Sequence, residues 1–332
     1  MSSPVVAPPL LELNNLSILY RTDRGTVSAV DDVTLSIPQG RSIGLVGESG
    51  SGKSTIALAV MRLLPANAIV QGEILFNGTD LISQSETALN RGWRWKNLSM
   101  VFQKSLSAMS PVHRIGIQMD DVLRTHEPKL GPEDRKARIR EVLDAVHLPA
   151  RVRNAYPFEL SGGMMQRAMI ALGLLCNPPF VIFDEATTAL DVITQSQIIA
   201  EIQRLKTEFN LTTMVISHDV GVINATCDTV AVLYAGQLME VAPREQFFRD
   251  PQHAYSRALV NSIPRASART RRIIGIPGSL PDLTHPPDGC RFAPRCPHAS
   301  GLCNGTIPPL EEVTSGHWVR CIHQPFEEGG SQ

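Results

Sequence analysis

The stretch GESGSGKST, residues 47–55, follows the short apolar run SIGLV and leads into the apolar ALAVMRLL. It matches G-x-x-x-x-G-K-[ST] from Gly47 to Ser54. A glycine-rich turn between a buried strand and a helix lets backbone N–H groups close around phosphate oxygens, and the helix N-terminus favours their charge. Lys53 is placed to reach the outer phosphates and the Ser54 hydroxyl to ligate Mg²⁺. The predicted strand before the turn and helix after it are the context such a match requires. Gly47, Glu48, Ser49, Gly50, Ser51, Gly52, Lys53, Ser54 and Thr55 are therefore expected to line a nucleotide site.

The surrounding pattern is that of an α/β chain. LLELNNLSILYRTDRGTVSAVDDVTLSIPQG alternates apolar and polar residues between turn signals, which predicts antiparallel strands. QGEILFNG and LSMVFQ read as further strands. Between about residues 105 and 160 the pattern becomes helical. GPEDRKARIREVLDAVHL carries Pro and acids in its first turn and apolar residues at helical spacing. PFVIFD, VITQSQIIAEIQRLKTEF, TTMVIS and DTVAVLY then alternate strand and helix, which implies a mostly parallel sheet covered on both faces. IPGSLPDLTHPPDG reads as a linker. The expected divisions are a loose tail at 1–9, an α/β domain over 10–265 with a helical subdomain at about 105–175, a linker at 266–289, a cysteine-rich region at 290–325 and a second loose tail at 326–332.

Two further motifs carry chemistry. PFVIFDEATTALD ends a buried strand on Asp184 and Glu185, at the sheet edge where open α/β folds bind ligands. Asp184 would hold the metal through its water shell, and Glu185 would polarise an attacking water as general base. LSGGMMQR precedes a helix, so Ser161, Gly162 and Gly163 would form a second anion-binding helix N-terminus, with Ser161 as an ordinary N-cap the simpler alternative. One chain thus carries two phosphate-binding elements, which cannot easily serve a single nucleotide.

Composition narrows the remaining classes. With 31 Lys and Arg against 32 Asp and Glu, nothing points to nucleic acid as a partner. No run approaches the ~20 apolar residues that span a bilayer, and the N-terminus lacks the features of a secretion signal. The expected compartment is the cytosol, where stable disulfides are rare. Yet four of the six cysteines, Cys290, Cys296, Cys303 and Cys321, fall near the C-terminus, spaced C-x5-C-x6-C-x17-C. Four thiolates suit either tetrahedral zinc or an iron–sulfur cluster, and cysteines that bind no metal are the third alternative. His298, His317 and His323 lie nearby as candidate substitute ligands, with ordinary loop histidines the favoured reading. Cys176 and Cys227 fall in predicted helices and read as buried small hydrophobes.

The phosphate loop, LSGGMMQR, VIFDEATTALD and VISHD, in this order, resemble the nucleotide-binding subunit of an ATP-binding-cassette (ABC) transporter over roughly residues 10–265. The resemblance implies an α/β P-loop NTPase fold with a mostly parallel core sheet, N-terminal antiparallel strands, a helical subdomain insertion and a Cys-rich C-terminal extension. It implies head-to-tail pairing, each ATP lying between one subunit's phosphate loop and the other's Ser161, Gly162, Gly163 and Met164, which resolves the puzzle of two anion sites. By position, Tyr20 resembles the residue that stacks on adenine. Gln103 resembles the glutamine that senses the γ-phosphate, contributes to the magnesium site with Ser54 and Asp184, and faces the membrane partner. Asp191 resembles the aspartate of dimer communication, and His218 the switch histidine that acts with Lys53 and Glu185. VGESGSGKS, LSGGMMQR, DEATTALDV, ISHDVGVI, HAYSRALVNSIP and the cysteine tail together resemble the ATPases of oligopeptide and dipeptide importers, a branch shared with nickel and other small-solute importers. That likeness implies ATP and Mg²⁺ as cofactors, a [4Fe–4S] cluster on the four cysteines with zinc as the alternative, two transmembrane permease subunits, and a second ATPase that is a sister chain or a second copy. It also implies an extracytoplasmic solute-binding protein as an indirect partner, and a peripheral position on the cytoplasmic face of the membrane. Lys104–Ser105 after Gln103, Met165, Ala186 and Ala254 depart from the usual residues, and none removes a catalytic group. A cassette ATPase acting on ribosomes or DNA is the less favoured alternative, since such chains carry two cassettes or long insertions.

Overall fold

The structure, a computed structural model, describes residues 8–102, 108–188, 190–262 and 276–323. The chain opens with β1 (Pro9–Thr22) and β2 (Gly25–Pro38), then β3 (Ser42–Val46), α1 (Lys53–Val60), β4 (Ala68–Phe76), β5 (Thr79–Asp80) and β6 (Leu98–Val101). Helices α2 (Ile115–His126), α3 (Pro132–Ala145) and α4 (Gly162–Gly173) follow. Strand and helix then alternate through β7 (Phe180–Asp184), α5 (Val192–Glu208), β8 (Thr212–Ser217), α6 (Val220–Thr226) and β9 (Thr229–Tyr234). The chain continues with β10 (Gln237–Pro243), α7 (Arg244–Arg249), α8 (Ala254–Asn261) and two short strands, β11 (Glu311–Thr314) and β12 (His317–Val319).

The chain divides into two compact units. The first comprises Met1–Leu10, Ile37–Arg41 and Asp80–Ile216. It holds a parallel sheet in which β7 lies between β6 and β8, Ile182 opposing Met100 on one side and Met214 on the other. All residues of β6, β7 and β8 are buried, as expected for parallel strands covered on both faces. Its helices follow their sequence signals. Pro132 starts α3, with Glu133 and Asp134 in the first turn, and Ile139, Val142 and Leu143 form the buried stripe.

The second unit comprises Leu11–Ser36, Ser42–Thr79 and Ser217–Gln332. Here β1 pairs antiparallel with β4, with an irregularity between Asn14 and Ser17. That bulge has a sequence reason. From Leu11 on, the buried residues of β1 run Leu11, Leu13, then Leu16, Ile18, a break of phase that one extra residue corrects. Asn15 absorbs it with φ 48°. In the same unit β3 pairs parallel with β9, β9 antiparallel with β10, and β10 antiparallel with β12, which carries β11. The cysteine-rich region therefore extends the sheet that starts at β3. The sequence marks it as a separate appendage, because EEVT and HWV are too short to show a strand period.

Two smaller expectations need correction. Cys176 lies in a turn just past α4 and is half-buried, and Cys227 is the extended residue that ends α6. Neither is inside a helix, although Cys227 is buried as expected. The linker residues from 276 onward are also held to the second unit: Leu283 O accepts a hydrogen bond from Ser28 N–H at 3.0 Å. Among the described residues no helix is long and apolar enough to cross a membrane.

Candidate nucleotide site

The phosphate loop belongs to the second unit. Strand β3 ends at Val46, and Gly47 follows in a position where a Cβ would lie 2.1 Å from Leu233 O. No other residue fits there. Gly52, the N-cap of α1, has φ 103° and provides no side-chain cap. Lys53 is buried, and its Nζ donates to Gly47 O and Glu48 O at 2.8 Å each and to Ser51 Oγ at 3.1 Å. The ammonium therefore sits inside the curl of the loop, where an anion of higher charge density would compete for it. Ser54 is exposed on the first turn of α1 and Thr55 is half-buried. Tyr20 sits on β1 opposite Ala68 and is half-buried. His218 is exposed directly after β8, and the next residue, Asp219, caps α6 by accepting from Gly221 N–H at 2.8 Å.

Asp184 and Glu185 belong to the first unit. Asp184 is the last residue of β7 and is 6% exposed. Glu185 takes φ 48°, a left-handed conformation that costs energy in a non-glycine residue and is concentrated at functional sites. It is held there by its N–H donating to Ile216 O at 2.9 Å, and by Thr188, whose N–H bonds Glu185 O at 3.0 Å and whose hydroxyl donates to Oε2 at 3.2 Å. The turn lifts the glutamate carboxyl off the strand line while Asp184 stays buried.

The second anion-binding element is also in the first unit. Ser161 caps α4, its Oγ accepting from Met164 N–H at 3.3 Å. Ser161 and Gly162 are exposed, and Gly163 and Met164 half-buried. A Cβ on Gly163 would come within 2.7 Å of Thr194 Cγ2, so glycine allows α4 to approach the start of α5. Asp191 caps that helix, accepting from Ile193 and Thr194 N–H at 3.1 and 3.0 Å and from the Thr194 hydroxyl at 2.6 Å. The bonds from Thr194 hold the Asp191 carboxyl below the usual carboxylate range. The fold thus brings the Ser-Gly-Gly helix start and the Asp191 turn together, two pieces 30 positions apart that spacing alone cannot connect. Val192 and Ile193 beside them stand 79% and 73% exposed, an apolar pair with no cover among the described residues. Gln103 lies outside the described residues.

The cysteine tail has its own geometry. Cys290, Cys296, Cys303 and Cys321 line one pocket, with Phe292, Ala293 and Pro308 on its apolar wall and His323 at its side. Each sulfur accepts a backbone N–H: Cys290 from Phe292 and Ala293, Cys296 from His298, Cys303 from Ser300 and Cys321 from His323. Burial pushes the thiols of Cys290 and Cys296 up, and that of Cys321 to about 11. Among the described residues no group of three or more His, Cys, Asp or Glu is arranged to hold a metal ion as it stands. The tail is also tied down by Arg291, to which sequence reasoning assigned no role, and by His317, read there as a substitute ligand. Arg291, 3% exposed, bonds Asp31 Oδ2 at 2.6 Å and the Ala235 carbonyl. His317 Nε2 meets the buried Glu240 carboxyl at 2.8 Å.

Comparison with known proteins agrees with this geometry. A family model for the ABC transporter matches residues 30–188, and one for the C-terminal region of oligopeptide/dipeptide transporters matches residues 239–303. The chain is 43% identical to the oligopeptide transport ATP-binding protein OppD of Salmonella typhimurium, over 98% of this chain and 97% of that one. It is 44% identical to OppD of Escherichia coli K12, over 97% and 95%. Among solved structures, the dimeric bacterial ABC transporter cassette MJ0796 superposes with a TM-score of 0.63 at 26% identity, covering 70% of this chain and 98% of that one.

Proposed function

The chain belongs to the ABC transporter family, and on that premise we propose that it is the ATP-hydrolysing subunit that drives oligopeptide import through a pair of membrane permeases. The observation that carries this reading is the phosphate loop curled around a buried Lys53, in a chain similar to oligopeptide ATPases from end to end. Lys53 exchanges its bonds to loop carbonyls for the outer phosphates of ATP, and the N–H groups at the start of α1 hold the rest. Ser54, Asp184 and Gln103 serve the magnesium ion. Glu185 orients and deprotonates the attacking water, and His218 contacts the γ-phosphate. Tyr20 stacks on the adenine.

Ser161, Gly162, Gly163 and Met164 complete the site of a second ATPase, a sister chain or a second copy, with Asp191 connecting the two. The exposed Val192–Ile193 pair beside Asp191 supports an interface there. Two permease subunits receive the motion at the cytoplasmic face, and a solute-binding protein delivers the peptide. Glu185→Gln tests the assignment: with ATP and magnesium it should bind nucleotide and elute as a dimer without turnover. Hydrolysis at the unmutated rate would refute the base assignment.

The four tail cysteines are the residues that would hold an iron–sulfur cluster. Single zinc draws four sulfurs to within about 2.3 Å of one point, whereas a cluster holds its cysteines around a larger core. The thiols here surround a pocket, and each receives a backbone N–H. Such a group would hold the thiols as thiolates and cross-link the segments around residues 290 and 321. About four irons and four acid-labile sulfides per chain, in protein purified without oxygen, is the expected result; one zinc per chain would replace the cluster with a structural ion.

A further inference from the structure

The residue of the phosphate loop with most attachments outside the loop is Glu48, the first residue after Gly47. Arg295, from the cysteine tail, grips its carboxylate with two parallel bonds, Nη1 to Oε2 at 2.9 Å and Nη2 to Oε1 at 3.0 Å. The pair is partly shielded, with the Arg295 side chain 6% exposed and that of Glu48 30%. The backbone N–H of Glu48 donates to Tyr255 Oη at 2.9 Å. Its carbonyl accepts from Lys53 Nζ at 2.8 Å and from Ser51 N–H at 3.2 Å. Every polar group of Glu48 is thus engaged, and its carbonyl is one of the acceptors that hold the phosphate-binding lysine.

The outer end of this chain of contacts is rigid. Arg295 also donates to Tyr234 Oη at 3.1 Å, to Pro277 O at 2.7 Å and to Ile276 O at 3.1 Å, and its guanidinium lies 5.6 Å from the Tyr234 ring centre. It ends the short 3₁₀ turn Ala293–Arg295, which sits between Cys290 and Cys296. Tyr255 packs against Phe292 of the same turn, with ring centres 5.3 Å apart. Leu280, just upstream, lies 3.5 Å from where a Cβ on Gly50 would be. Arg295 of the tail therefore grips the phosphate loop at Glu48, Tyr255 of α8 holds the same residue, and Leu280 of the linker stands over Gly50.

We propose that Arg295 is a positioning residue of the nucleotide site, through which the cysteine tail sets the affinity of the phosphate loop. Two physical effects act together. A carboxylate in a loop that must accept a triphosphate repels it, and the fork of Arg295 neutralises that charge at the one place where it matters. The same fork fixes Glu48, and with it the carbonyl that competes with phosphate for Lys53. The position of Arg295 depends in turn on the turn between Cys290 and Cys296, so whatever orders or disorders the thiols alters the loop.

The test is equilibrium binding of a fluorescent ATP analogue to the full-length chain, with far-ultraviolet circular dichroism and melting temperature measured alongside. Arg295→Gln should weaken nucleotide binding by about tenfold at low salt, and Arg295→Lys by less, since an ammonium keeps the charge but not the fork. Glu48→Gln is measured alone as the reference for the double variant. The Arg295→Gln/Glu48→Gln double variant should recover most of the lost affinity, which a residue that merely anchors the tail would not allow. Unchanged binding in Arg295→Gln overturns the proposal. So does a loss that Glu48→Gln fails to reverse, because Arg295 would then hold only the tail.

Discussion

Replacing Arg291 with methionine isolates how the cysteine tail is attached to the second unit. Arg291 is 3% exposed; it bonds Asp31 at 2.6 Å and the Ala235 carbonyl in the β9–β10 turn. Ala235 has φ 49°, so that turn is held in a conformation alanine adopts reluctantly. Breaking a fully buried ion pair costs about 3–5 kcal/mol, mostly from the charge left behind. Asp31 keeps 30% side-chain exposure and a second donor, Gln237 Nε2 at 2.8 Å, so it is only partly stranded. Burial lowers the proton affinity of Arg291, and the attraction of Asp31 opposes that effect without overcoming it. The loss then comes from the Ala235 carbonyl and from Asp31, and we expect about 2–3 kcal/mol. If the reasoning holds, adding Asp31→Asn should restore about half of it. The assay is urea unfolding followed by Trp318 fluorescence on β12, with Trp93 and Trp95 replaced by phenylalanine. A single variant within about 0.5 kcal/mol of the parent, the range of ordinary surface changes, or a double variant no better than the single one, would refute the argument.

Other outcomes follow from the same geometry. Lys53→Ala should abolish ATP hydrolysis, because the ammonium at the centre of the loop has no substitute among its neighbours; a steady-state phosphate-release assay checks it. The Cys176 thiol is pushed up to about 11 by burial, with Glu127 adding to the shift. At pH 8 its thiolate should be about a hundredfold scarcer than that of an ordinary thiol, so iodoacetamide should label it slowly and faster as pH rises towards 11. Gly163→Val should drive Thr194 away and loosen the Asp191 cap. It should lower hydrolysis in the assembled dimer while leaving nucleotide binding to the isolated chain intact.

The parts of the site that are local in sequence were legible there. The curl of the phosphate loop is written in Gly47 and Gly52, whose positions no side chain tolerates. The acids at the end of β7 follow an uninterrupted buried run, and Ser161 stands where a cap belongs. What joins distant segments was not legible. Arg295 and Glu48 are 247 positions apart, and Arg291 and Asp31 are 260 apart. An arginine in a proline-rich tail has no periodicity that would announce a partner. The left-handed conformation of Glu185 also leaves no mark in the sequence, since it arises where the chain turns from β7 and is held by Ile216 on the neighbouring strand. The strands β11 and β12 are too short for alternation to separate them from loop, and all four residues of β11 are exposed.

The most direct test of the account is peptide uptake by vesicles carrying the chain with its sister ATPase, two permease subunits and the solute-binding protein. The account predicts ATP-dependent accumulation of a labelled oligopeptide that disappears when Lys53→Ala or Glu185→Gln is present. Uptake that proceeds unchanged with either variant, or ATP hydrolysis that never couples to uptake in the full assembly, would contradict it.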